Sequence, residues 1–584
     1  MAKFFPNYDK FPVTEFKQKD AKSWMGWDGI CAGIKEQVDK INARVIALEC
    51  YPGLHDEEIL AQLELQLKGK FYYTFDFMLT GEEIDRLVYP DVTDDAVFGY
   101  LTRLNLIDFF DKKRIADFKT AEQTDGPVFI YGPGATLLCK DPNLIVYFDM
   151  PRWEGQLRQR RDEVNNLGVD NKKFKASLQY KRSFFVDWRV CDKHKKTLMD
   201  RWDLVIDTTN TAQPKMVQGK ALNAAFTQMV AQPFRLVPFF DPGPWGGQWM
   251  KKYCDLDPSQ KNYAWCFDCV PEENSLLIKF GDVVFETPGI NLVFAQSKKL
   301  LGLVVQARFG DEFPIRFDFL DTIEGGNLSL QVHPTNEYIR ERFGMPYTQD
   351  ESYYMLDAEP DACVYLGLKD NIDPDKMIAA LKDANKGNSQ FDAEKYVEKF
   401  AVKKHDHVLI PAGTIHCSGK NSMVLEISAT PYIFTFKLWD WGRMGLDGKP
   451  RPINIDHGKN VIDWSRTPEV VKKELVNAIE PITEGDGWRE ERTGLHETEF
   501  IETRRHWFTK KVHHDTGGSV NVINLVEGRE AIVESPKGLF EPYVVHYAET
   551  FVIPAHVGEY TIRPHGESEG KECGSLKAFV RFKA

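Results

Sequence analysis

The chain has 584 residues, of which 42% are hydrophobic and 28% are charged, a composition typical of globular proteins. Because one hydrophobic core rarely serves so long a chain, we expect roughly two to four domains. The formal net charge of −13 argues against nucleic acid as a partner, since no strongly basic stripe is available to meet phosphates.

The sequence carries no strong targeting signal and no strong cysteine motif. Residues 1–20 lack the basic and apolar regions of a secretion signal, and no run approaches the ~20 apolar residues of a membrane span. Cys266 and Cys269 have C-x-x-C spacing, but no second pair completes a four-thiolate zinc site. We therefore expect a cytoplasmic protein with reduced thiols and no membrane partner.

The N-terminal part of the chain alternates between apolar runs and helix-like segments. A helix-like stretch from Asp56 to Lys68 follows the first run. Continuous apolar runs separated by helices predict a parallel sheet with crossover connections, and therefore an α/β domain over residues 1–230. The runs predicted as buried strands are Arg44–Leu48, Pro127–Tyr131, Leu144–Phe148 and Leu204–Ile206.

The pattern changes near residue 230, where we place the main domain boundary. Beyond it, short alternating segments with many glycines and prolines are typical of antiparallel sandwiches and jelly rolls. One helical segment is predicted among them, between Asp373 and Phe400, with Asp373-Pro374 as its start. The last strand candidates are Ser519–Leu525, Tyr543–His546, Thr550–Ile553 and Leu576–Phe582.

Three separated segments carry side chains suited to a metal site. Gln331 and His333 lie two residues apart on a strand-like run, so both project from the same face. Glu351 begins another strand-like run, and His416 follows the turn Pro411-Ala412-Gly413. Two imidazoles with one carboxylate suit zinc, while the glutamine leaves iron or manganese open. In the alternative interpretation, Glu351 is solvated and His416 is a core histidine.

Several motifs, in the same order, resemble the type I mannose-6-phosphate isomerases, a metal-dependent cupin family. The resemblance extends over residues 232–584. It implies two all-β cupin (jelly-roll) domains, at 231–485 with a helical insert at 373–400, and at 486–584. The segments that carry the likeness are Asp241–Gly247, Leu328–Pro334, Glu351–Lys369, Ile410–Gly419 and Val424–Arg443.

The resemblance also implies a reaction, which is the interconversion of mannose 6-phosphate and fructose 6-phosphate. A divalent metal ion, zinc in the first place, would stabilise the enediolate-like intermediate of this aldose–ketose isomerisation. The family's four metal ligands fall on Gln331, His333, Glu351 and His416.

The catalytic residues are assigned by the same resemblance. Arg443 matches the family's active-site arginine and would steady a developing oxyanion. Glu426 and Asp440 are the candidates for the general base, although Asp440 is also interpreted as a buried structural partner of Arg443.

The sequence departs from the family pattern at two positions. Gln349 stands where the family's shorter members have a lysine, so it cannot carry charge, and Lys437 replaces an arginine. Both are predicted to contact the substrate. Lys449 and Arg451 could take part in binding its phosphate, although the default interpretation of both is a solvated loop position.

Residues 44–68 and 127–161 resemble a uridine-kinase-type nucleotide-binding domain, with Arg152, Arg158 and Arg161 where lid arginines would lie. The corresponding turn, Glu49–His55, lacks the G-x-x-x-x-G-K-[ST] pattern of a phosphate loop. We interpret this domain as a degenerate kinase-like module, structural or regulatory.

Three functions remain open at this point. The first is a metal-dependent hexose-phosphate isomerase, which could form homo-oligomers. The second is a cupin sugar-phosphate sensor with little or no turnover, suggested by Gln349 and Lys437. The third is a bifunctional kinase–isomerase, opposed by the missing phosphate-loop lysine.

Overall fold

The computed structural model describes residues 6–18, 20–118, 126–429, 434–444, 451, 453–494, 496 and 498–582. The chain forms two compact units, here called the N-terminal and the C-terminal unit. The N-terminal unit comprises Val13–Met229 and Pro271–Gln296. The C-terminal unit comprises Met1–Pro12, Val230–Val270 and Ser297–Ala584.

A seven-stranded sheet forms the centre of the N-terminal unit. All residues of the strands Val45–Cys50 and Leu144–Asp149 are buried, as expected for strands covered on both faces. In spatial order the strands are Ser23–Met25, Lys215–Gln218, Leu204–Asp207, Leu144–Asp149, Val45–Cys50, Val128–Gly132 and Lys70–Tyr73. The last five pair in parallel, which is the pairing predicted from the continuous apolar runs.

Helices connect these strands and supply part of the apolar core. Ile30 and Ile34 from the first helix, and Ile59 and Leu63 from the second, pack in the same buried cluster as the central strands. The helix after Thr80 begins with a capping box, in which Thr80 and Glu83 satisfy each other's backbone N–H groups. The α-helices of this region are Gly26–Ile41, Asp56–Gln66, Gly81–Val92, Lys112–Asp117, Ala135–Leu138, Arg152–Arg160, Ala176–Arg182, Trp188–Leu198 and Gly219–Met229.

A small three-stranded sheet also belongs to the N-terminal unit, although two of its strands come from much later in the chain. The strand Val13–Glu15 pairs in parallel with Ser275–Phe280, which pairs in turn with Val283–Pro288.

Two antiparallel sheets form the first half of the C-terminal unit. One consists of His407–Ile410, Glu351–Ala358, Ser422–Ser428, Arg316–Asp321, Trp265–Cys269 and Phe239–Asp241. The other consists of Val397–Ala401, Cys363–Leu368, His416–Ser418, Leu330–Val332 and Phe436–Trp439.

Two further antiparallel sheets follow in the same unit. Side chains from both sheets, among them Phe508, Ile523, Val533 and Tyr560, share one apolar core. Their packing matches the sandwich predicted from the strand–turn pattern. The first sheet consists of Glu480–Gly485, Trp488–Gly494, Ile501–Phe508, Cys573–Val580, Asn521–Glu527 and Thr550–Ile553, and the second of Val512–Asp515, Glu559–Pro564, Glu530–Glu534 and Tyr543–His546.

The helices after residue 230 differ in part from those predicted. The helix Pro374–Asn385 begins at the predicted position, where the Asp373 side chain accepts a hydrogen bond from the Lys376 N–H. The predicted helical segment was too long, because Val397–Ala401 is a strand. Helices that were not predicted are Trp249–Tyr253, Gly289–Leu301, Leu303–Phe309, Asn336–Phe343, Ile455–Gly458 and Pro468–Glu474.

The chain passes from one unit to the other between Met229 and Val230, beside the boundary placed near residue 230. It returns once, since Pro271–Gln296 lies in the N-terminal unit, and the sheets of 231–485 and 486–584 lie together in the other unit. The three-domain organisation therefore stays a prediction. None of the helices in the described part of the chain combines the length and the apolar character needed to cross a bilayer.

Candidate metal centre

Three strands bring the four predicted metal ligands together. Gln331 lies in the middle of Leu330–Val332, and His333 follows directly. Gln331 is the cross-strand partner of His416, the first residue of its own strand. Glu351 begins a strand of the neighbouring sheet. Among the described histidines, cysteines and carboxylates, His333, Glu351 and His416 are the group whose donor atoms all lie within 4.8 Å of one another.

Each histidine has one ring nitrogen fixed by the backbone and the other directed at Glu351. The Nδ1 of His333 lies 2.8 Å from the Phe434 carbonyl oxygen, and the Nδ1 of His416 lies 2.9 Å from that of Thr414. Because a carbonyl only accepts, each Nδ1 carries the proton and each Nε2 presents a lone pair. These Nε2 atoms lie 3.1 and 2.9 Å from the two Glu351 carboxylate oxygens.

Facing acceptor atoms of this kind are stabilised by a positive charge between them, which is either a proton on an imidazole or a metal cation. Within the described part of the chain, the Nε2 of His333 and the Oε1 of Glu351 are buried without a hydrogen-bond partner. Burial raises the pKa of the Glu351 carboxyl, but the two histidines outweigh it and hold that pKa well below its usual range. Burial lowers the pKa of His333, but the Glu351 carboxylate outweighs it and raises that pKa. A divalent metal ion fits this donor set.

Gln331 completes the group as an amide beside the imidazoles. Its side-chain amide lies 3.1 Å from the Nε2 of His416, and its Oε1 accepts a hydrogen bond from Ser329 at 3.0 Å. The Gln331 amide nitrogen therefore lies beside the histidine nitrogen that faces the carboxylate, while its oxygen is bonded to Ser329, and the assignment of Gln331 as a fourth ligand stays a prediction.

The Gln349 side chain is held against the Glu351 carboxylate by two hydrogen bonds. Its Nε2 donates to the Oε2 of Glu351 at 2.8 Å, and its Oε1 accepts from the Phe434 N–H at 3.1 Å. Glu426 lies beyond it, 3.5 Å from the same Nε2. Burial, together with the carboxylates of Asp318 and Glu351, raises the pKa of Glu426 well above its ordinary value.

A cationic group lies along the strand next to Gln331. Lys437 is the cross-strand partner of Gln331, and burial, together with nearby Arg451, lowers its pKa to about 8. Asp440 holds two guanidinium groups, that of Arg443 at 2.6 Å and that of Arg451 at 2.7 Å. With both carboxylate oxygens engaged, the geometry favours the interpretation of Asp440 as a positioning residue.

Arg443 is fixed at two points. One nitrogen bonds to Asp440, and the Nη1 donates to the Asn327 carbonyl oxygen at 2.6 Å. Three cations therefore surround one carboxylate, an excess of positive charge suited to an anionic substrate group. Lys449 lies outside the described residues. Cys266 and Cys269 occupy the strand Trp265–Cys269 and are not part of the metal-binding group.

The sequence pattern missed the groups that orient the ligands. The carbonyls of Phe434 and Thr414 and the side chains of Ser329 and Asp318 have no spacing relative to the ligands that marks them in the sequence. Register alone would have found Asp318, which pairs directly with Glu426 across two strands.

Comparison with known proteins gives one family and several relatives. A family model described as "Domain of unknown function (DUF8485)" matches residues 26–231. Mannose-6-phosphate isomerase ManA of Bacillus subtilis (strain 168) is 24% identical over 242 residues, which cover 41% of this chain and 71% of that protein. The mannose-6-phosphate isomerase of Streptococcus mutans serotype c is 27% identical over 237 residues, which cover 40% and 68%.

A solved structure is also similar to part of this chain. The mannose 6-phosphate isomerase of Bacillus subtilis aligns with 60% of this chain and 99% of its own, at 18% identity and a TM-score of 0.48. The likeness of residues 44–68 and 127–161 to nucleotide kinases finds no support in these comparisons, because the family that matches them has no assigned function.

Proposed function

We propose that this chain is a metal-dependent aldose–ketose isomerase that interconverts mannose 6-phosphate and fructose 6-phosphate. The observation that carries the proposal is the buried convergence of the Nε2 atoms of His333 and His416 on the two carboxylate oxygens of Glu351, a donor set suited to a divalent metal ion. The sequence relatives named mannose-6-phosphate isomerase support the same reaction. The paired antiparallel sheets support the cupin interpretation of both later regions.

The metal ion would be held by Gln331, His333, Glu351 and His416. When bound, a divalent ion such as zinc, or alternatively iron or manganese, supplies Lewis acidity that stabilises negative charge on sugar oxygens. The backbone carbonyls that fix both imidazoles keep their Nε2 atoms in place for binding, a role known to strengthen metal ligands.

The cationic group binds the anionic part of the substrate. Arg443, Lys437 and Arg451 together carry more positive charge than Asp440 neutralises. Arg443 would steady the oxyanion that develops during isomerisation, while Lys437 and Arg451, with Lys449 as a further candidate, would contact the phosphate. Asp440 keeps the two guanidinium groups in position.

Glu426 is the proposed proton carrier. Isomerisation moves a proton between C1 and C2 of the sugar, so it needs a group that both accepts and returns it. Burial raises the pKa of Glu426, which makes its carboxylate a stronger base than an exposed one. Gln349 cannot serve, because an amide does not titrate, and its hydrogen bonds hold Glu351 in place.

The test is conversion of mannose 6-phosphate by the zinc-loaded full-length chain, followed by NMR in D₂O. We expect fructose 6-phosphate to appear, with deuterium entering at the exchanged carbon. His333→Ala should abolish conversion, whereas His513→Ala, which changes an exposed histidine, should not. If none of the common hexose phosphates is converted by the wild-type chain, the proposal is wrong.

A sugar-phosphate sensor is the second candidate, favoured by the amide at Gln349. Without a titratable group at this position, the site could bind hexose phosphate and turn it over slowly or not at all. Calorimetry that detects binding of mannose 6-phosphate, in a chain that shows no conversion, would select this function over the isomerase.

A further inference from the structure

A large cavity lies within the N-terminal unit, at one edge of its parallel sheet. Its volume is about 590 Å³, inside the range of small-molecule sites. The lining comes from residues 51–58, which follow the strand Val45–Cys50, from Pro133, which follows Val128–Gly132, and from segments at 75–81 and 163–172. The carboxyl ends of neighbouring parallel strands are where open α/β sheets bind ligands.

The charges around this cavity oppose a phosphate group. Asp56, Glu57 and Glu58 occupy the first turn of the helix Asp56–Gln66, where the backbone N–H groups would otherwise attract an anion. Another possible phosphate-binding turn, at Gly134 and Thr136, is already occupied by a carboxylate of this chain. Glu49 accepts hydrogen bonds from the backbone N–H groups of Gly134 and Thr136.

The polar wall instead presents acceptors held in fixed positions. Glu163 is paired with Arg161 at 2.8 Å and with the Nε2 of His55 at 3.3 Å. Asp56 accepts a hydrogen bond from the Tyr131 hydroxyl at 2.7 Å. Each of these carboxylates is held by a donor and keeps further lone pairs, which can accept hydrogen bonds from ligand hydroxyl groups.

An apolar wall faces these acceptors. Phe75, Met78, Leu79 and Val169 line the same cavity, and the Phe75 side chain is 40% exposed. An exposed ring beside carboxylates offers a flat apolar surface together with acceptors, which matches a ligand that has C–H faces and several hydroxyl groups.

We propose that this cavity binds an uncharged polyhydroxylated ligand of the monosaccharide class. The site lies wholly in the N-terminal unit and does not depend on the proposed isomerase function. It gives the matched domain a ligand-binding role, and the charges disfavour nucleotides, because the carboxylates that line the cavity outnumber its one lysine, Lys172.

The test uses the full-length chain and titrates D-mannose, D-glucose and D-fructose by calorimetry. We expect at least one of them to bind, and to bind equally well to His333→Ala, since the metal centre takes no part. Gly81→Leu should weaken binding at least tenfold, because an added side chain at Gly81 meets Val169 of the cavity wall at an ordinary contact distance of 3.8 Å. Gly29→Leu, on another helix of the unit, is the matched control.

Phe75→Ala provides a second variant if Gly81→Leu does not fold, and it should weaken the same binding. Three results would overturn the proposal. The first is that none of the three hexoses binds. The second is that binding is lost in His333→Ala but unchanged in Gly81→Leu. The third is that the His333→Ala chain binds ATP or uridine more tightly than any hexose.

Discussion

His333 and His416 each commit one imidazole nitrogen to a backbone carbonyl and direct the other at Glu351. This arrangement fixes both tautomers before any metal arrives, so little ordering of the ligands is left to accompany binding. The hydrogen bond from Gln349 to Glu351 serves the same purpose for the carboxylate. The residue that departs from the expected lysine is therefore part of the support of the site.

Removal of the Gln349 amide tests this supporting role. Gln349→Leu leaves the Oε2 of Glu351 without its 2.8 Å donor, so we expect zinc affinity to fall about 10- to 100-fold. Competition with a chelator of known affinity measures the change. Gln390→Leu, at an exposed position, should leave the affinity unchanged, and an equal loss in both variants would contradict the account.

Arg443 tests the anion-binding side of the centre. Arg443→Ala removes a guanidinium group held by Asp440 and Asn327, so we expect kcat/KM for mannose 6-phosphate to fall about 10²- to 10³-fold. Steady-state kinetics measures this loss. Arg489→Ala, on a strand of the last sandwich, serves as control, and unchanged kinetics in Arg443→Ala would remove this residue from the site.

The ligand residues could be predicted from the sequence because they lie at strand ends beside turns, where spacing and alternation are informative. Gln331 and His333 share a face by strand geometry alone. Spacing and alternation do not show that the segments of Glu351 and His416 meet in space. Their side-chain chemistry suggested a shared metal site, and the family resemblance implied the same residues as ligands. The interpretation of Asp440 as a structural partner of Arg443 could be made from the sequence, because the two residues are only three positions apart.

At the scale of elements, the strand His407–Ile410 contains a buried histidine that is not part of the metal centre. His407 is fully buried, and burial, reinforced by the charge of Arg505, lowers its pKa to about 3. In the unfolded state the His407 imidazole takes up a proton near pH 6.5, whereas in the folded state it stays neutral until the pH approaches 3. Stability from this group is complete above pH 6.5 and is lost as the pH falls toward 3.

His407→Leu should remove this dependence. Between pH 6.5 and 4, we expect the wild-type free energy of unfolding to fall more steeply than that of the variant, by at most about 1.4 kcal/mol per pH unit. Urea unfolding at several pH values measures both slopes. His513→Leu, at an exposed position of the strand Val512–Asp515, should keep the wild-type slope. If His407→Leu also has the wild-type slope, His407 is not the source of the pH dependence.

Four of the five parallel strands were predicted from the sequence, because short continuous apolar runs such as Leu144–Phe148 are consistent with buried strands, whereas the partly exposed strand Lys70–Tyr73 was not predicted. Helices inside the β-rich part were missed. Gly289–Leu301 begins with glycine, a residue of low helix propensity, so the start of this helix is poorly marked in the sequence. The predicted helical segment between Asp373 and Phe400 ran into the strand Val397–Ala401, which directly follows the short helix Ala393–Tyr396.

At the scale of the whole molecule, the chain order of the two units could not be predicted. Pro271–Gln296 returns to the N-terminal unit, where Leu277 and Ile278 pair with Val13 and Thr14 at the other end of the chain. Pairing between segments more than 250 residues apart leaves no local signal. The predicted boundary near residue 230 rested on a change in sequence pattern, which marks only the crossing between Met229 and Val230 and not those after Pro12, Val270 and Gln296.

The returning segment also completes a buried ion pair in the N-terminal unit. Lys195 lies 2.9 Å from Asp149, and Asn291 donates to the same carboxylate at 2.8 Å. Lys195→Met would leave Asp149 buried and unpaired, so we expect a loss of about 3–5 kcal/mol in the stability of this unit. Chemical denaturation measures it, with Lys220→Met, at an exposed position, as control. A loss below 1 kcal/mol would show that water replaces the lysine.

The central claim is that His333, Glu351 and His416 hold a metal ion, and metal content per chain tests it most directly. After loading with zinc and desalting, mass spectrometry of the wild-type protein and of His513→Ala should find about one zinc per chain. His333→Ala and His416→Ala should retain far less. Equal zinc content in all four proteins, or none in the wild type, would contradict the account.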